Sequence, residues 1–385
     1  MVKQFKKPQK VLLAMSGGVD SSVAALLLKR KGYEIIGAFM KNWSDTKNDL
    51  GECTWRGERR YALKIAAMLN IPLITLDFEK EYRKIVVGKM YEDYKKGITP
   101  NPDVDCNEKI KFPLLIKAAK KLKCDFVVTG HYARIKETKV SLINPSFKLG
   151  VKPDKKTKNK YELLRAKDEL KDQSYFLYRL KQNELKNILF PIGDLTKKEV
   201  REIAKKHKFP NADKKSTVGI CFIGKVNLKK FLQKKIKPKK GKILDPKGKQ
   251  IGEHDGIFYY TIGQRIGPRF GIEIHKTKET MQKWYVARKI LKTNTIIAAP
   301  ENHPLNFRKE IYLNNTHWIN EKPKNNQRVF SRIRQVGELL SSLLKKENAR
   351  YKVILKRAIT GVSEGQAIVL YQGKKCIGGG VISFQ

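Results

Sequence analysis

The chain has no run approaching the ~20 uninterrupted apolar residues that a membrane-spanning helix needs, which excludes a helical membrane protein. The apolar stretch Val11 to Met15 behind the basic start is too short for a signal peptide, and Ser16-Gly17-Gly18-Val19-Asp20-Ser21 follows where a cleavage site would stand, so a cytoplasmic location is expected. Cysteine is scarce. Cys53, Cys106, Cys124, Cys221 and Cys376 form no C-x-x-C pair and have no histidine at zinc-like spacing, which argues against a structural zinc, a cluster held by grouped thiolates or any metal site. Five thiols without a secretory leader point instead to free or reactive cysteines in a reducing compartment. Acids are few as well: 37 Asp+Glu face 82 Lys+Arg, a net charge of +45 that favours a polyanionic partner, with nucleic acid the natural one. The Lys/Asn-rich stretches, such as that around Glu321 to Gln327, fit a genomic compositional bias equally well, so the sign of the charge carries more meaning than its size.

At 385 residues the chain is long enough for two or three domains with separate cores, and a small stapled fold is excluded. The first third alternates apolar strands (VLLAM, EIIGAFM, PLITLDF, DFVVTGH) with helical stretches, including one from Ser22 to Lys31 and one from Ile110 to Leu122. That is the rhythm of a Rossmann-like α/β parallel sheet. The Lys-rich segment Val151 to Lys160 reads as a solvated loop, and LTKKEVREIAKKHKF as an amphipathic helix capped by Thr196. After Cys221 the texture changes to short strands between Gly turns, and from about Ile290 alternating runs such as YKVILKRAI and QAIVLYQG suggest a β-barrel or sandwich. The expected division is a nucleotide-binding catalytic domain over 1–225, a small central domain over 226–289 and a β-barrel over 290–385.

SGGVDS lies between the strand Val11 to Met15 and a helix. Glycines there let the backbone approach phosphates, the serines add donors, and the helix start offers exposed amides to an anion. No Gly-Lys-Ser/Thr follows, so the loop differs from that of kinases and GTPases. Tight packing alone is the bland explanation of such a turn. The loop resembles that of the ATP pyrophosphatase superfamily, which cleaves ATP between its α- and β-phosphates. That likeness leaves ligases, amidotransferase partners and tRNA modifiers open.

Cys106 follows the proline-bearing Thr99-Pro100-Asn101-Pro102-Asp103 and precedes a helix, with Lys109 and Lys111 at hand to enlarge its thiolate fraction. Cys221, in Gly219-Ile220-Cys221-Phe222-Ile223-Gly224, has apolar neighbours that suit a buried core thiol equally well. The chain as a whole resembles the tRNA-specific 2-thiouridylases of the MnmA type. The likeness rests on FMKNW (Phe39 to Trp43), TPNPD with CNEKIKF, TGHYAR (Thr129 to Arg134), KDQSYFLY (Lys171 to Tyr178), GICFIG, YTIGQR (Tyr260 to Arg265), WYV (Trp284 to Val286) and GGG (Gly378 to Gly380), in that order.

The resemblance implies adenylation of the C2 oxygen of a wobble uridine in tRNA, then attack by sulfur carried as a persulfide. Cys221 would bear the persulfide, delivered by a sulfur-relay protein or cysteine desulfurase; Cys106 would release the sulfur by forming a disulfide with it; and Asp103 would be the general acid/base. Ala14, Met15, Ser16, Gly17, Gly18, Val19, Asp20, Ser21, Met40 and Gly130 would contact ATP, accompanied by Mg²⁺. Asn101, Pro102 and Asp103 would frame the base, and His131, Lys171, Asp172, Gln173, Arg332, Ile333 and Gln366 would touch tRNA. Two departures stand out: Ile333 replaces an aromatic residue, and Ser216-Thr217-Val218 replace the family's Asp-Ser-Thr. An amide-forming ligase of the same superfamily would need neither thiol, and a noncatalytic RNA-binding protein would need no ATP.

Overall fold

The computed structural model of the protein describes residues 8–47, 51, 53–142, 156–215, 219–224, 226–268, 271–275 and 280–384. Ser216-Thr217-Val218 lie outside them. The N-terminal region supplies strands β1 (Lys10–Ala14), β2 (Glu34–Lys41), β3 (Leu73–Asp77) and β4 (Phe126–Val128), then a long hairpin, β5 (Ala133–Leu142) with β6 (Lys156–Arg165), and β7 (Ile188–Leu189). Five of these form one parallel sheet in the order β3-β2-β1-β4-β7. β1 is buried on both faces, as parallel strands are. Val11 and Leu13 pack under the helices Val19–Arg30 (α1) and Thr54–Met68 (α2), while Leu12 faces Leu115 and Ala119 of the helix Phe112–Lys121. The arrangement is the Rossmann-like α/β sheet expected from the alternating pattern.

Three local expectations change. α1 starts at Val19, not Ser22, because Gly18 takes the N-cap position. The helix expected from Ile110 is preceded by a widened π-turn over Asn107–Lys111 that joins the short helix Pro102–Cys106. Lys156–Lys160, read as loop, belong to β6, where ten residue pairs match it to β5. Thr196, by contrast, caps the helix Lys197–Lys206 with a reciprocal bond to Glu199.

A second sheet holds β8 (Gly241–Leu244), β9 (Gln250–His254), β10 (Glu273–Ile274), β11 (Trp284–Ile290) and β12 (Thr295–Pro300), in the order β10-β9-β8-β12-β11. The last six strands are β13 (Phe307–Trp318), β14 (Gln327–Arg332), β15 (Leu340–Glu347), β16 (Arg350–Thr360), β17 (Ala367–Gln372) and β18 (Lys375–Ser383). They run β13-β16-β15-β14-β17-β18, and β13 pairs back onto β18, closing the barrel. The β5–β6 hairpin docks on β18 through Lys375 and Leu164, so the barrel is tied to the nucleotide-type sheet.

A buried ion pair strengthens that tie. Asp172 Oδ2 accepts from Arg332 Nη1 at 2.8 Å and from the Ser174 hydroxyl at 2.9 Å, while Oδ1 accepts from the backbone amide of Ala166 at 3.0 Å. Both side chains are almost fully buried. Removing one member of such a pair strands the other charge away from water. Arg332→Met is therefore expected to cost about 3–5 kcal/mol in denaturant unfolding of the full chain, and Asp172→Leu/Arg332→Met distinctly less; equal losses would show that the pair is not the link.

Candidate active site

The site lies along the carboxyl edge of the parallel sheet, where the strand order reverses beside β1, the usual ligand position in such folds. After β1 the chain turns through Ser16 to Gly18 into α1. Gly17 has φ +76°, and a Cβ there would stand 2.1 Å from the Glu58 carbonyl oxygen, so glycine is required. The turn is held by its own serines: the Ser21 hydroxyl donates to the Gly18 carbonyl at 3.0 Å and that of Ser22 at 3.1 Å. Asn211, wholly buried, donates its amide to the Gly17 carbonyl at 3.0 Å and to Ser22 Oγ at 2.9 Å. Asp20 is fixed by the Tyr132 hydroxyl at 2.8 Å and Lys197 Nζ at 2.6 Å.

Gly130, after β4, closes the other side; a Cβ there would lie 2.7 Å from the Ser21 amide nitrogen. Ala14 and Met15 lead into the turn that Ser16 opens, Val19 and Ser21 begin α1 after it, and Met40, largely buried, lies near the end of β2 next to β1 in the sheet. The ATP-type positions named from sequence thus gather on β1, β2, α1 and the β4 loop. Nothing in the loop's spelling points to Asn211 or Lys197.

The two thiols come together from opposite parts of the chain. Asn101 caps the short helix Pro102–Cys106 by accepting from the Val104 amide at 3.3 Å, with Pro102 in the first turn. This places Cys106, fully buried, with its Sγ 3.8 Å from Cys221 Sγ. Both are free thiols, and Cys221 is the partly exposed member. The loop around Cys221 folds back on itself, the Gly224 amide donating to the Ile220 carbonyl at 2.8 Å, and forces Phe222 to φ +66°. A side chain in that left-handed region costs on the order of 1–2 kcal/mol.

Three anchors keep the loop in place. The Cys221 amide donates to Asp103 Oδ1 at 2.8 Å, the Tyr82 hydroxyl to the Cys221 carbonyl at 2.5 Å, and the Thr46 hydroxyl to the Ile223 carbonyl at 2.9 Å. Trp43 of the FMKNW segment supports them, donating to Thr46 Oγ1 at 3.1 Å and packing on Tyr82. Tyr82 and Thr46 had no signal in the sequence.

Electrostatics separate the two sulfurs. Burial, then the hydrogen bond to Cys221, pushes the Cys106 thiol well above its ordinary value. The S–H of Cys106 pulls the Cys221 thiol below its ordinary value against the effect of burial, and the Lys111 ammonium adds to the pull. Cys221 is therefore the more acidic of the two and Cys106 the thiol that donates to it, the reverse of the expectation that lysines enrich the Cys106 thiolate. Lys109 does not contribute, being paired with Asp105 at 2.9 Å.

Lys111 keeps its charge despite burial, because Cys221, Cys106 and Asp103 all raise its pKa. It also approaches the Phe222 ring at 5.6 Å and His131 Nε2 at 3.4 Å. An ammonium only donates, so Nε2 accepts and Nδ1 carries the proton toward Thr129 Oγ1, 2.6 Å away. Burial and Lys111 lower the His131 pKa well below the ordinary histidine value, keeping the ring neutral. Burial raises the Asp103 carboxyl above its ordinary value, against the Cys221 amide and Lys111.

The residues named for tRNA contact divide. Lys171 is exposed and Asn101, Pro102, Gln173 and Gln366 are partly so. Asp172, Arg332 and Ile333 have buried side chains, the first two paired with each other and the third in the barrel core, and His131 is buried behind Lys111. Among the charged residues of these motifs, the fold leaves Lys171 at the surface and uses Asp172 and Arg332 as an internal tie. Cys376 is buried against Tyr371, with its thiol pushed up by burial.

Three family models cover the chain in succession: the tRNA methyl transferase HUP domain over residues 9–225, the tRNA methyl transferase PRC-barrel domain over 229–300 and the aminomethyltransferase beta-barrel domain over 308–382. The chain is 40% identical to a tRNA-specific 2-thiouridylase MnmA of Aliarcobacter butzleri, across 99% of this chain and 100% of that one. It is likewise 40% identical to that of Nitrosomonas eutropha, across 97% and 98% of the two chains. Against a counterpart in Geobacillus kaustophilus it is 40% identical across 98% and 96%. With the loop, the paired thiols and the three-part fold all in place, the chain belongs to the MnmA family of tRNA-specific 2-thiouridylases.

Proposed function

We propose that the protein is an ATP-using sulfurtransferase that converts the wobble uridine of tRNA to 2-thiouridine. The observation that carries this reading is the 3.8 Å approach of one buried and one partly exposed thiol beside a charged lysine. Methyl transfer, which two of the matched family descriptions mention, leaves that pair unexplained. The names of the full-length relatives supply the substrate.

In this reading the loop Ser16 to Ser21 and Gly130 cradle ATP, whose α-phosphate is attacked by the uridine C2 oxygen to release pyrophosphate. Mg²⁺ would accompany the triphosphate as its counter-ion; Asp20 is the loop carboxylate that could add a ligand. Cys221, reachable from outside, takes a sulfur from a relay protein or desulfurase as a persulfide. The terminal sulfur attacks C2 and AMP leaves. The Cys106 sulfur then attacks Cys221 Sγ, breaking the sulfur–sulfur bond of the persulfide. The thiocarbonyl stays on the base, and a Cys106–Cys221 disulfide remains, which an external dithiol must reduce with two electrons.

A disulfide needs the sulfurs at about 2.05 Å, so a closing movement of under ~2 Å from the present contact is enough. Asp103 is the proton carrier for Cys106, and Lys111 holds the anionic form of the Cys221 sulfur. Lys171, Asn101, Pro102, Gln173 and Gln366 touch the RNA directly; His131, Asp172, Arg332 and Ile333 act by holding the surface beneath it. The expected units 1–225, 226–289 and 290–385 fit with one change: membership of β12 in the central sheet favours placing the second boundary after Pro300.

Two measurements bear on this. With ATP, Mg²⁺, unmodified tRNA and a persulfide donor, the wild-type chain is expected to yield 2-thiouridine by mass spectrometry, and Cys106→Ser and Cys221→Ser none; full 2-thiouridine from either variant would remove that thiol from the sulfur transfer, and pyrophosphate release by the wild type with no 2-thiouridine would favour an amide-forming ligase. In peptide-resolved alkylation, Lys111→Met is expected to move the Cys221 profile to higher pH, since loss of a cation disfavours the thiolate, while Lys111→Arg keeps it low. An unmoved Lys111→Met profile would remove Lys111 from the chemistry.

A further inference from the structure

A second cationic site lies on the far side of the base-framing turn. A cleft of ≈ 410 Å³ opens where the three units meet, with Lys96, Arg288, Lys289 and Arg308 on its walls and Glu364 as the one acid among its lining residues. We infer that this cleft seats a backbone phosphate of the substrate RNA, next to the nucleotide held at Asn101 to Asp103. The inference rests on the thiolation reading and gives it a specific RNA contact outside the chemistry.

Charge balance is the first argument. Four cations face one carboxylate, and Glu364 already receives the Phe384 backbone amide on Oε1 at 3.0 Å. Lys289, deep in the wall, donates to the Tyr260 carbonyl at 2.8 Å, a neutral partner that leaves its charge uncompensated. Burial brings its pKa down to about 8, and the opposing effect of Glu364 does not restore it. Arg308 is likewise lowered by burial and by repulsion from Arg288, and it lies against the Phe384 ring. Cations crowded into one half-buried place are stabilised when an anion enters, and a phosphate accepts hydrogen bonds from guanidinium and ammonium groups alike.

Position is the second argument. Gly97 and Ile98 line the cleft and lead directly into Thr99-Pro100. The Thr99 amide donates to the Glu364 carbonyl at 3.1 Å, and Gln366 Nε2 donates to the carbonyls of Thr99 and Pro100 at 3.0 and 2.7 Å. The cleft wall and the base-framing turn are therefore one rigid piece. Three residues of extended chain span at most ~10 Å, so a phosphate in the cleft belongs to a nucleotide close to the extruded base. Leu291, half exposed on the rim, offers an apolar surface for the adjoining ribose or base.

The test is fluorescence anisotropy of labelled, unmodified tRNA titrated with the full chain between 50 and 200 mM salt, together with steady-state thiolation. Arg288→Gln, on the exposed rim, and Arg308→Gln are expected to raise Kd several-fold. Each should flatten the slope of log K against log salt by roughly 0.7–0.9, the value for one lost phosphate contact. KM for tRNA rises in step, while kcat at saturating tRNA stays within about two-fold, because the cleft does not touch the reacting atoms. Arg288→Lys, which keeps the charge, retains the wild-type slope. Wild-type binding with all variants unchanged in Kd and slope would overturn the phosphate seat alone. A wild-type chain that binds no tRNA would overturn the seat together with the thiolation reading.

Discussion

The 3.8 Å contact between Cys106 and Cys221 is the constraint that the rest of the site serves. Two sulfurs 115 residues apart meet only if a helix start and a strained loop are both held still. Asn101 and Pro102 hold the first; Asp103, Tyr82 and Thr46 hold the second, each through one hydrogen bond to its backbone. Asp103 ties the two together, because it belongs to the helix that carries Cys106 and its carboxylate receives the Cys221 amide. The asymmetry of the pair follows from its surroundings. Burial raises the Cys106 thiol, and the donated S–H and Lys111 lower that of Cys221, the residue of the pair that is partly exposed.

Two adjacent residues join this centre to the nucleotide loop. Gly130 packs against the start of α1, and His131 next to it supports Lys111. A shift of the loop after β4 would disturb both the glycine-rich turn into α1 and the lysine beside the thiols. The barrel contributes at a distance: Asp172 and Arg332 lock it to the sheet, and Gln366 fixes the turn that leads to Cys106. The turn that leads to Cys106 is thus held by the first unit and the barrel together.

What could be read from sequence was what local patterning controls. The strand–Gly–helix turn, the parallel sheet, the Thr196 cap and the barrel each have a spacing or a periodicity that declares them. The β5–β6 hairpin was masked by lysines that make a strand look like a solvated loop. Tyr82 and Asn211 could not be found because their roles depend on long-range approach: one reaches a carbonyl 139 residues away, the other a glycine carbonyl 194 residues away. Arg332 and Asp172 were legible as important but not as buried, since a charged residue in a motif looks the same whether it meets RNA or another side chain. That Cys221 is the more acidic thiol is also tertiary, for the Cys106 S–H that lowers it, and Lys111 after it, both lie far from Cys221 in sequence.

The most direct test of the account is a single turnover of chain loaded with one persulfide sulfur on Cys221, with ATP and tRNA and without reductant. The 2-thiouridine formed and the Cys106–Cys221 disulfide, read by peptide mass spectrometry, are expected to appear at equal rates and in one-to-one amounts. Thiouridine formed with both cysteines still reduced would contradict the paired-thiol mechanism.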